Sequence, residues 1–140
     1  MSDPISLEDI QAARTRIAAH IQPLRIAASQ ALSSQFDSEV LLAHEYLQTT
    51  GAFKLRGAMN SVLQLAPGTN GVTAVSTGNH GRGLAYAARQ ARVPCIICMS
   101  ELVPQNKLEG IRALGAETRI IGKSQDEAEV EARRLVNKEG

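Results

Sequence analysis

The sequence predicts an α/β protein in which parallel strands alternate with helices. From residue 72 onward, three short apolar segments, VTAVS, CIICM and ETRII, alternate with longer amphipathic segments. This alternation is typical of parallel strands that are joined by right-handed crossovers. With 140 residues, of which 44% are hydrophobic and 21% charged, the chain has the size and composition of one ordinary globular domain.

The first half of the chain contains helical patterns and one apolar run that favours a strand. Ser6 followed by Asp9 resembles a capping box, and the apolar residues after it recur at helical spacing, which predicts a helix over residues 6–20. The run ALSSQF indicates a short helix, and EVLLAHE favours a strand. A second long helical pattern, FKLRGAMNSVLQLA, follows Thr50 and ends at Pro67.

Three more helices are expected around the strands of the second half, in HGRGLAYAARQA, PQNKLEGIRALG and SQDEAEVEARRLVNKEG. Pro104 suits a first helical turn, Gly115 a C-terminal stop and Ser124 an N-terminus. The sequence ends at Gly140, directly after a helix, where a parallel sheet would normally continue into another strand. We therefore expect it to end between elements of a longer fold.

Charge and hydropathy argue against nucleic acid and membranes as partners. The 15 Lys and Arg residues nearly balance the 14 Asp and Glu residues, and only 3% of the residues are aromatic. No apolar stretch approaches the roughly 18 residues of a transmembrane helix, and the N-terminus is acidic and polar. These features indicate a cytoplasmic protein.

The cysteines and isolated histidines do not form a metal site. Cys95 and Cys98 lie in one predicted strand, three residues apart, so their sulfur atoms are expected on opposite faces as buried thiols. A redox C-x-x-C pair would lie at a helix N-terminus, and zinc would need two further ligands. His20 and His44 have no spacing to other ligands that would suit a metal.

Two segments could carry chemistry. Lys54 lies in the first turn of a predicted helix, where the positive end of the helix dipole disfavours its ammonium form. A neutral amine is what Schiff-base chemistry requires. The segment 76–83, STGNHGRG, follows a predicted strand and opens a helix, a position where free backbone N–H groups bind carboxylates or phosphates. By position alone, a solvated lysine and a turn without ligand remain open alternatives.

Taken together, the run QTTGAFKLRGA over residues 48–58 and the run STGNHG over residues 76–81 resemble the fold-type II pyridoxal phosphate enzymes, in particular their threonine/serine dehydratase branch. The resemblance continues through MSELVPQNKLEGIRALGA and covers nearly the whole chain. Within this branch, the segment VSTGNHGRGLAYAA is most similar to hydroxyectoine-utilisation dehydratases.

This resemblance implies a three-layer α/β/α fold of the tryptophan synthase β-like class, truncated here, and pyridoxal 5'-phosphate as cofactor. It also implies β-elimination from an amino acid such as threonine, serine or a hydroxyectoine derivative, by a homo-oligomer. Residues 1–66 would begin the large cofactor domain, and residues 67–140 would form most of the small substrate-closing domain.

The resemblance also implies roles for individual residues. Lys54 would bind the cofactor covalently and take the substrate α-proton, and Phe53 would flank the cofactor ring. Asn79 would hydrogen-bond the 3′-oxygen of the cofactor. Thr77 would supply a catalytic hydroxyl on the opposite cofactor face. The substrate carboxylate would be bound by the whole loop, which consists of Ser76, Thr77, Gly78, Asn79 and His80.

The sequence departs from the family pattern in three places. Ala52 stands where serine is common, and Thr77 replaces a serine. No run of three glycines occurs, although the family binds the cofactor phosphate with a glycine-rich loop from the second half of a longer chain. A truncated, catalytically degenerate interaction module is therefore the alternative function.

A dinucleotide-binding half-domain is the second alternative. The strand, the glycine loop and Glu101 about twenty residues downstream match that pattern. The glycines at 78, 81 and 83 follow the order G-x-x-G-x-G, which is wrong for the pyrophosphate turn, and this alternative leaves FKLRG unexplained.

Overall fold

The computed structural model describes residues 4–139. The helices and strands are α1 (Leu7–Ile17), β1 (Ile26–Ala28), α2 (Gln30–Phe36), β2 (Leu41–Ala43), α3 (Lys54–Val62), β3 (Val72–Val75), α4 (Asn79–Ala91), β4 (Cys95–Met99), α5 (Gln105–Arg112), β5 (Glu117–Ile120) and α6 (Gln125–Glu139). Short 3-10 turns cover Ala18–His20 and Glu45–Leu47. The alternation predicted after residue 72 is confirmed in every element.

The second half forms a three-stranded parallel sheet in the order β3-β4-β5. Val72 pairs with Cys95, and Ile96 pairs with Glu117. Because the strands are parallel, their carboxyl ends lie at one edge of the sheet, and the loop after β3 opens there.

Helices cover both faces of this sheet. The larger core lies between the sheet and the helices α3, α4 and α5, and it includes the fully buried Leu55, Met59, Ile97 and Ile111. The smaller core lies on the opposite face, where Leu135 and its neighbours on α6 pack against the sheet. The sequence therefore correctly predicted a layered α/β/α arrangement.

The two cysteines confirm the predicted alternation of β4. Cys95 belongs to the larger core, whereas Cys98 belongs to the smaller core on the other face. Both thiols are free and buried. Burial raises the pKa of Cys95 to about 11, so this thiol is a packing group in the folded chain.

Helix boundaries follow the capping residues that the sequence indicates. At the start of α1, the Asp9 N–H donates to Ser6 Oγ at 3.1 Å, and the Ser6 N–H donates to Asp9 Oδ2 at 2.9 Å. These bonds hold the pKa of Asp9 below its usual value. Gly115, with φ of +92°, turns the chain after α5, and Ser124 Oγ accepts from the Glu127 N–H at the start of α6.

A separate two-stranded antiparallel sheet lies in the first half. Ile26 of β1 pairs with Ala43 of β2, and every residue of both strands is exposed. The strand in EVLLAHE was predicted, but its pairing with LRIAAS was not. None of the helices within residues 4–139 combines the length and apolar character needed to cross a bilayer.

Candidate active site

Lys54 is the first residue of α3, as the sequence predicted. Its side chain is exposed, and Nζ lies 5.1 Å from the centroid of the Phe53 ring, which is itself 58% exposed. No side chain within residues 4–139 caps this helix N-terminus. The amine is therefore accessible to a ligand, beside an aromatic surface and the positive end of a helix dipole.

The segment that leads to Lys54 is held by contacts that sequence reasoning did not find. Gln48 is 5% exposed, and its side-chain amide donates to the Gln22 carbonyl at 2.9 Å and accepts from the Gln22 N–H at 3.1 Å. Arg56 Nε donates to Glu45 Oε1 at 2.8 Å. Glu45 precedes the segment 48–54 and Arg56 follows it, so this ion pair holds the two ends of the segment together.

The loop after β3 is organised by Ser76. Its Oγ accepts from the Gly81 N–H at 2.9 Å and from the Gly78 N–H at 3.3 Å. This hydroxyl therefore stabilises the start of α4 from within the loop, a role that the sequence did not indicate. Binding of a substrate carboxylate by Ser76 and Gly78 stays a prediction.

Two backbone donors at the start of α4 are available to a ligand. The N–H groups of Asn79 and His80 donate to no group within residues 4–139, and both residues are exposed. Free N–H groups at a helix N-terminus are suited to a carboxylate or phosphate, because the helix dipole adds to their hydrogen bonds. The start of α4 thus offers two N–H groups to a ligand, and the binding of an anion there stays a prediction.

Lys54 and His80 line one open cavity of about 610 Å³. Lys54 lines it from α3 and Phe53 from the position just before that helix, Val72 and Thr73 line it from β3, and His80 lines it from α4. Thr77 and Asn79 are not among its lining residues within the described part of the chain. Asn79 directly precedes His80 in the sequence, and Thr77 lies three residues before it. The catalytic role of Thr77 and the cofactor contact of Asn79 stay predictions.

Across residues 4–139, no cluster of three or more His, Cys, Asp or Glu side chains has the arrangement needed to bind a metal ion.

Comparison with known sequences finds relatives over nearly the whole chain. The family described as "Pyridoxal-phosphate dependent enzyme" matches residues 17–140. The "Putative threonine dehydratase" of Sinorhizobium fredii is 51% identical over 138 residues, which are 97% of this chain and 42% of that protein. The L-threonine ammonia-lyase of Thermotoga maritima is 38% identical over 138 residues, covering 97% of this chain and 34% of that protein.

Solved structures share the fold. A threonine deaminase from T.th. superposes with a TM-score of 0.86 at 38% identity, over 96% of this chain and 42% of that one. Serine racemase of Dictyostelium discoideum superposes with a TM-score of 0.89 at 30% identity, over 96% of this chain and 44% of that one. The chain thus spans less than half the length of these relatives. The matches confirm the predicted fold class and family resemblance, whereas the narrower likeness to hydroxyectoine-utilisation dehydratases stays a prediction.

Proposed function

Because the chain belongs to the family of pyridoxal-phosphate dependent enzymes, we propose that it is the lysine-bearing part of a dehydratase that releases ammonia from a hydroxy-amino acid such as threonine or serine. The observation that carries this proposal is that Lys54 and His80, at the starts of two different helices, line one cavity. The names of the relatives from Sinorhizobium fredii and Thermotoga maritima favour the same reaction class.

The residues of the cavity fit the cofactor of the family. The exposed Lys54 amine can bind the cofactor aldehyde covalently, and the exposed Phe53 ring beside it offers an apolar surface to the cofactor ring. Asn79 lies outside the cavity lining, and its hydrogen bond to the cofactor oxygen is part of the proposal that rests on the resemblance. When bound, pyridoxal phosphate supplies an electron sink for the charge that develops at the substrate α-carbon. The 140 residues contain no run of three glycines, so the resemblance identifies no phosphate loop among them.

Residues at the start of α4 bind the substrate carboxylate, whereas Lys54 at the start of α3 transfers a proton. The N–H groups of Asn79 and His80 bind and orient the substrate carboxylate. The Lys54 amine lines the same cavity as His80, so it can accept the proton that leaves the α-carbon of a substrate bound there. Thr77, in the loop between β3 and α4, supplies a catalytic hydroxyl on the cofactor face opposite Lys54.

Four narrower statements belong to the same proposal. A hydroxyectoine-derived amino acid is a further candidate substrate beside threonine and serine, and the segment VSTGNHGRGLAYAA supports it. Residues 1–66 belong to the large domain and residues 67–140 to the small one. The free thiols of Cys95 and Cys98 favour a cytoplasmic location. The exposed apolar strands β1 and β2 favour a homo-oligomer, which sedimentation can measure.

Covalent trapping tests the proposal. The purified chain is incubated with pyridoxal phosphate, reduced with borohydride and digested, and each lysine peptide is quantified by mass spectrometry. We expect labelling at Lys54 to exceed that at Lys107, Lys123 and Lys138, which are also exposed. Lys54→Ala should abolish the dominant adduct, whereas the matched control Lys107→Ala should leave it unchanged. Equal labelling of all four lysines would contradict the proposal.

Substrate turnover is the measurement that can identify a catalyst and exclude the catalytically degenerate interaction module. Release of 2-oxo acid and ammonia is assayed with threonine, with serine and with hydroxyectoine-derived amino acids. Because the resemblance assigns the phosphate loop to the second half of a longer chain, we expect poor turnover by these 140 residues alone under either function. Release of 2-oxo acid and ammonia that Lys54→Ala abolishes would exclude the interaction module, whereas unselective labelling of the lysines without turnover would favour it.

A further inference from the structure

We propose that Gly83 is a positioning residue for Lys54, and this inference rests on the proposed function of that lysine. The absence of a side chain at Gly83 lets α4 lie directly against the first turn of α3. This contact sets where Lys54 lies relative to the N-terminus of α4, which provides the donors for the substrate carboxylate.

The three atoms nearest to a Cβ placed on Gly83 are all backbone atoms. A Cβ placed on Gly83 would lie 3.3 Å from the Lys54 carbonyl carbon, 3.3 Å from the Lys54 carbonyl oxygen and 3.3 Å from the Leu55 nitrogen. Such distances are tighter than nine in ten contacts that real Cβ atoms make. Because the nearest atoms belong to the backbone and not to the end of a flexible side chain, an alanine at position 83 requires the two helices to move apart by a few tenths of an ångström.

The opposite side of α4 is equally close-packed. A Cβ placed on Gly81 would lie 3.2 Å from the Ser76 carbonyl oxygen and 3.1 Å from Ile111 Cδ1. Residues two apart on a helix point about 200° apart, so Gly81 and Gly83 face nearly opposite directions. The first turns of α4 are therefore held between the loop after β3 and α5 on one side and α3 on the other. A larger residue at position 83 must then displace the first turn of α3, which carries Lys54.

Helix stability does not explain the glycine at this position. Glycine is among the least favourable residues in a helix interior. Gly110 in α5 is a useful contrast, because a Cβ there would meet nothing within 4 Å. The same substitution thus displaces backbone at one position and fills open space at the other.

The experiment compares Gly83→Ala with two controls. Gly110→Ala repeats the chemical change away from the site. Leu135→Ala destabilises the smaller core on the other face of the sheet without touching the contact between α3 and α4. Trapping with pyridoxal phosphate and borohydride gives the ratio of Lys54 labelling to the mean labelling of Lys107, Lys123 and Lys138. Amide NMR spectra report the displacement without cofactor, and thermal unfolding reports stability.

We expect Gly83→Ala to lower the labelling ratio by about fivefold to tenfold and to shift the amide signals of Lys54 and Leu55. Gly110→Ala and Leu135→Ala should keep the wild-type ratio at a temperature where each is folded. If Gly83→Ala does not fold alone, the double variant with Gly110→Ala is used, because the second change favours the helix.

The outcomes distinguish failure of the positioning role of Gly83 from failure of the proposed function of Lys54. A wild-type ratio in Gly83→Ala, or unmoved signals of Lys54 and Leu55, overturns the inference alone. An equal loss of the ratio in folded Leu135→Ala also overturns it, because general destabilisation would then explain the effect. Equal labelling of all four lysines in the wild-type chain overturns the proposed function and the inference with it.

Discussion

Replacing Ser76 with alanine removes the acceptor that holds the first turn of α4 to the loop after β3. The N–H groups of Gly81, at 2.9 Å, and Gly78, at 3.3 Å, lose their partner. The shorter bond contributes about 1 kcal/mol and the longer one less, so the expected loss in the free energy of unfolding is about 1.5 kcal/mol. With an unfolding entropy of about 2.1 cal/mol/K per residue, the 140 residues convert this loss into a decrease in Tm of about 5 °C.

Urea and thermal unfolding measure the loss, and hydrogen exchange locates it. The Gly81 amide should exchange about fivefold faster in Ser76→Ala, because loss of a bond worth about 1 kcal/mol releases its N–H without global unfolding. Thr77→Ala is the matched control, since the Thr77 hydroxyl makes no hydrogen bond to any group in residues 4–139. Equal stability of the two variants, together with unchanged exchange at Gly81, would refute the role assigned to Ser76.

Three further predictions concern parts of the fold away from the loop. Hydrogen bonds from Arg134 and Arg119 hold the pKa of Glu131 at about 2, against the ordinary glutamate value of 4.5, so the folded state binds fewer protons in this range than an unfolded chain with the ordinary value. The stabilisation by Glu131 is present above pH 4.5 and disappears as the pH falls towards 2. Urea titrations at several pH values should show that the free energy of unfolding of Glu131→Gln depends less on pH in this range than that of the wild type. An equal pH dependence in the two proteins would contradict this assignment. Cys95 should resist alkylation at neutral pH until urea unfolds the chain, because burial raises its pKa to about 11, and rapid labelling of the native protein would show that β4 opens. Gly110→Ala should raise the free energy of unfolding by up to about 1 kcal/mol, and a measured loss would mean that α5 is packed more tightly than the structure shows.

The local signals in the sequence predicted most of the fold. The capping box at Ser6, the position of Lys54 at the start of α3 and the opposite faces of Cys95 and Cys98 are all found in the structure. Each depends on residues a few positions apart, where the periods of helix and strand decide which side chains share a face. The sequence also placed the loop 76–80 at the carboxyl end of a parallel strand, because β/α alternation specifies that edge.

The sequence by itself thus determined the order of the elements, the class of the fold and the two segments that could carry chemistry. Only the tertiary structure decided how those segments are held: Gln48 binds the backbone of Gln22, and Gly83 allows α4 to touch the backbone of Lys54. These contacts join residues that are 26 and 29 positions apart. No helical or strand period relates residues at such separations, so their meeting depends on how α3 and α4 pack on the sheet, which a one-dimensional pattern of polar and apolar residues does not encode.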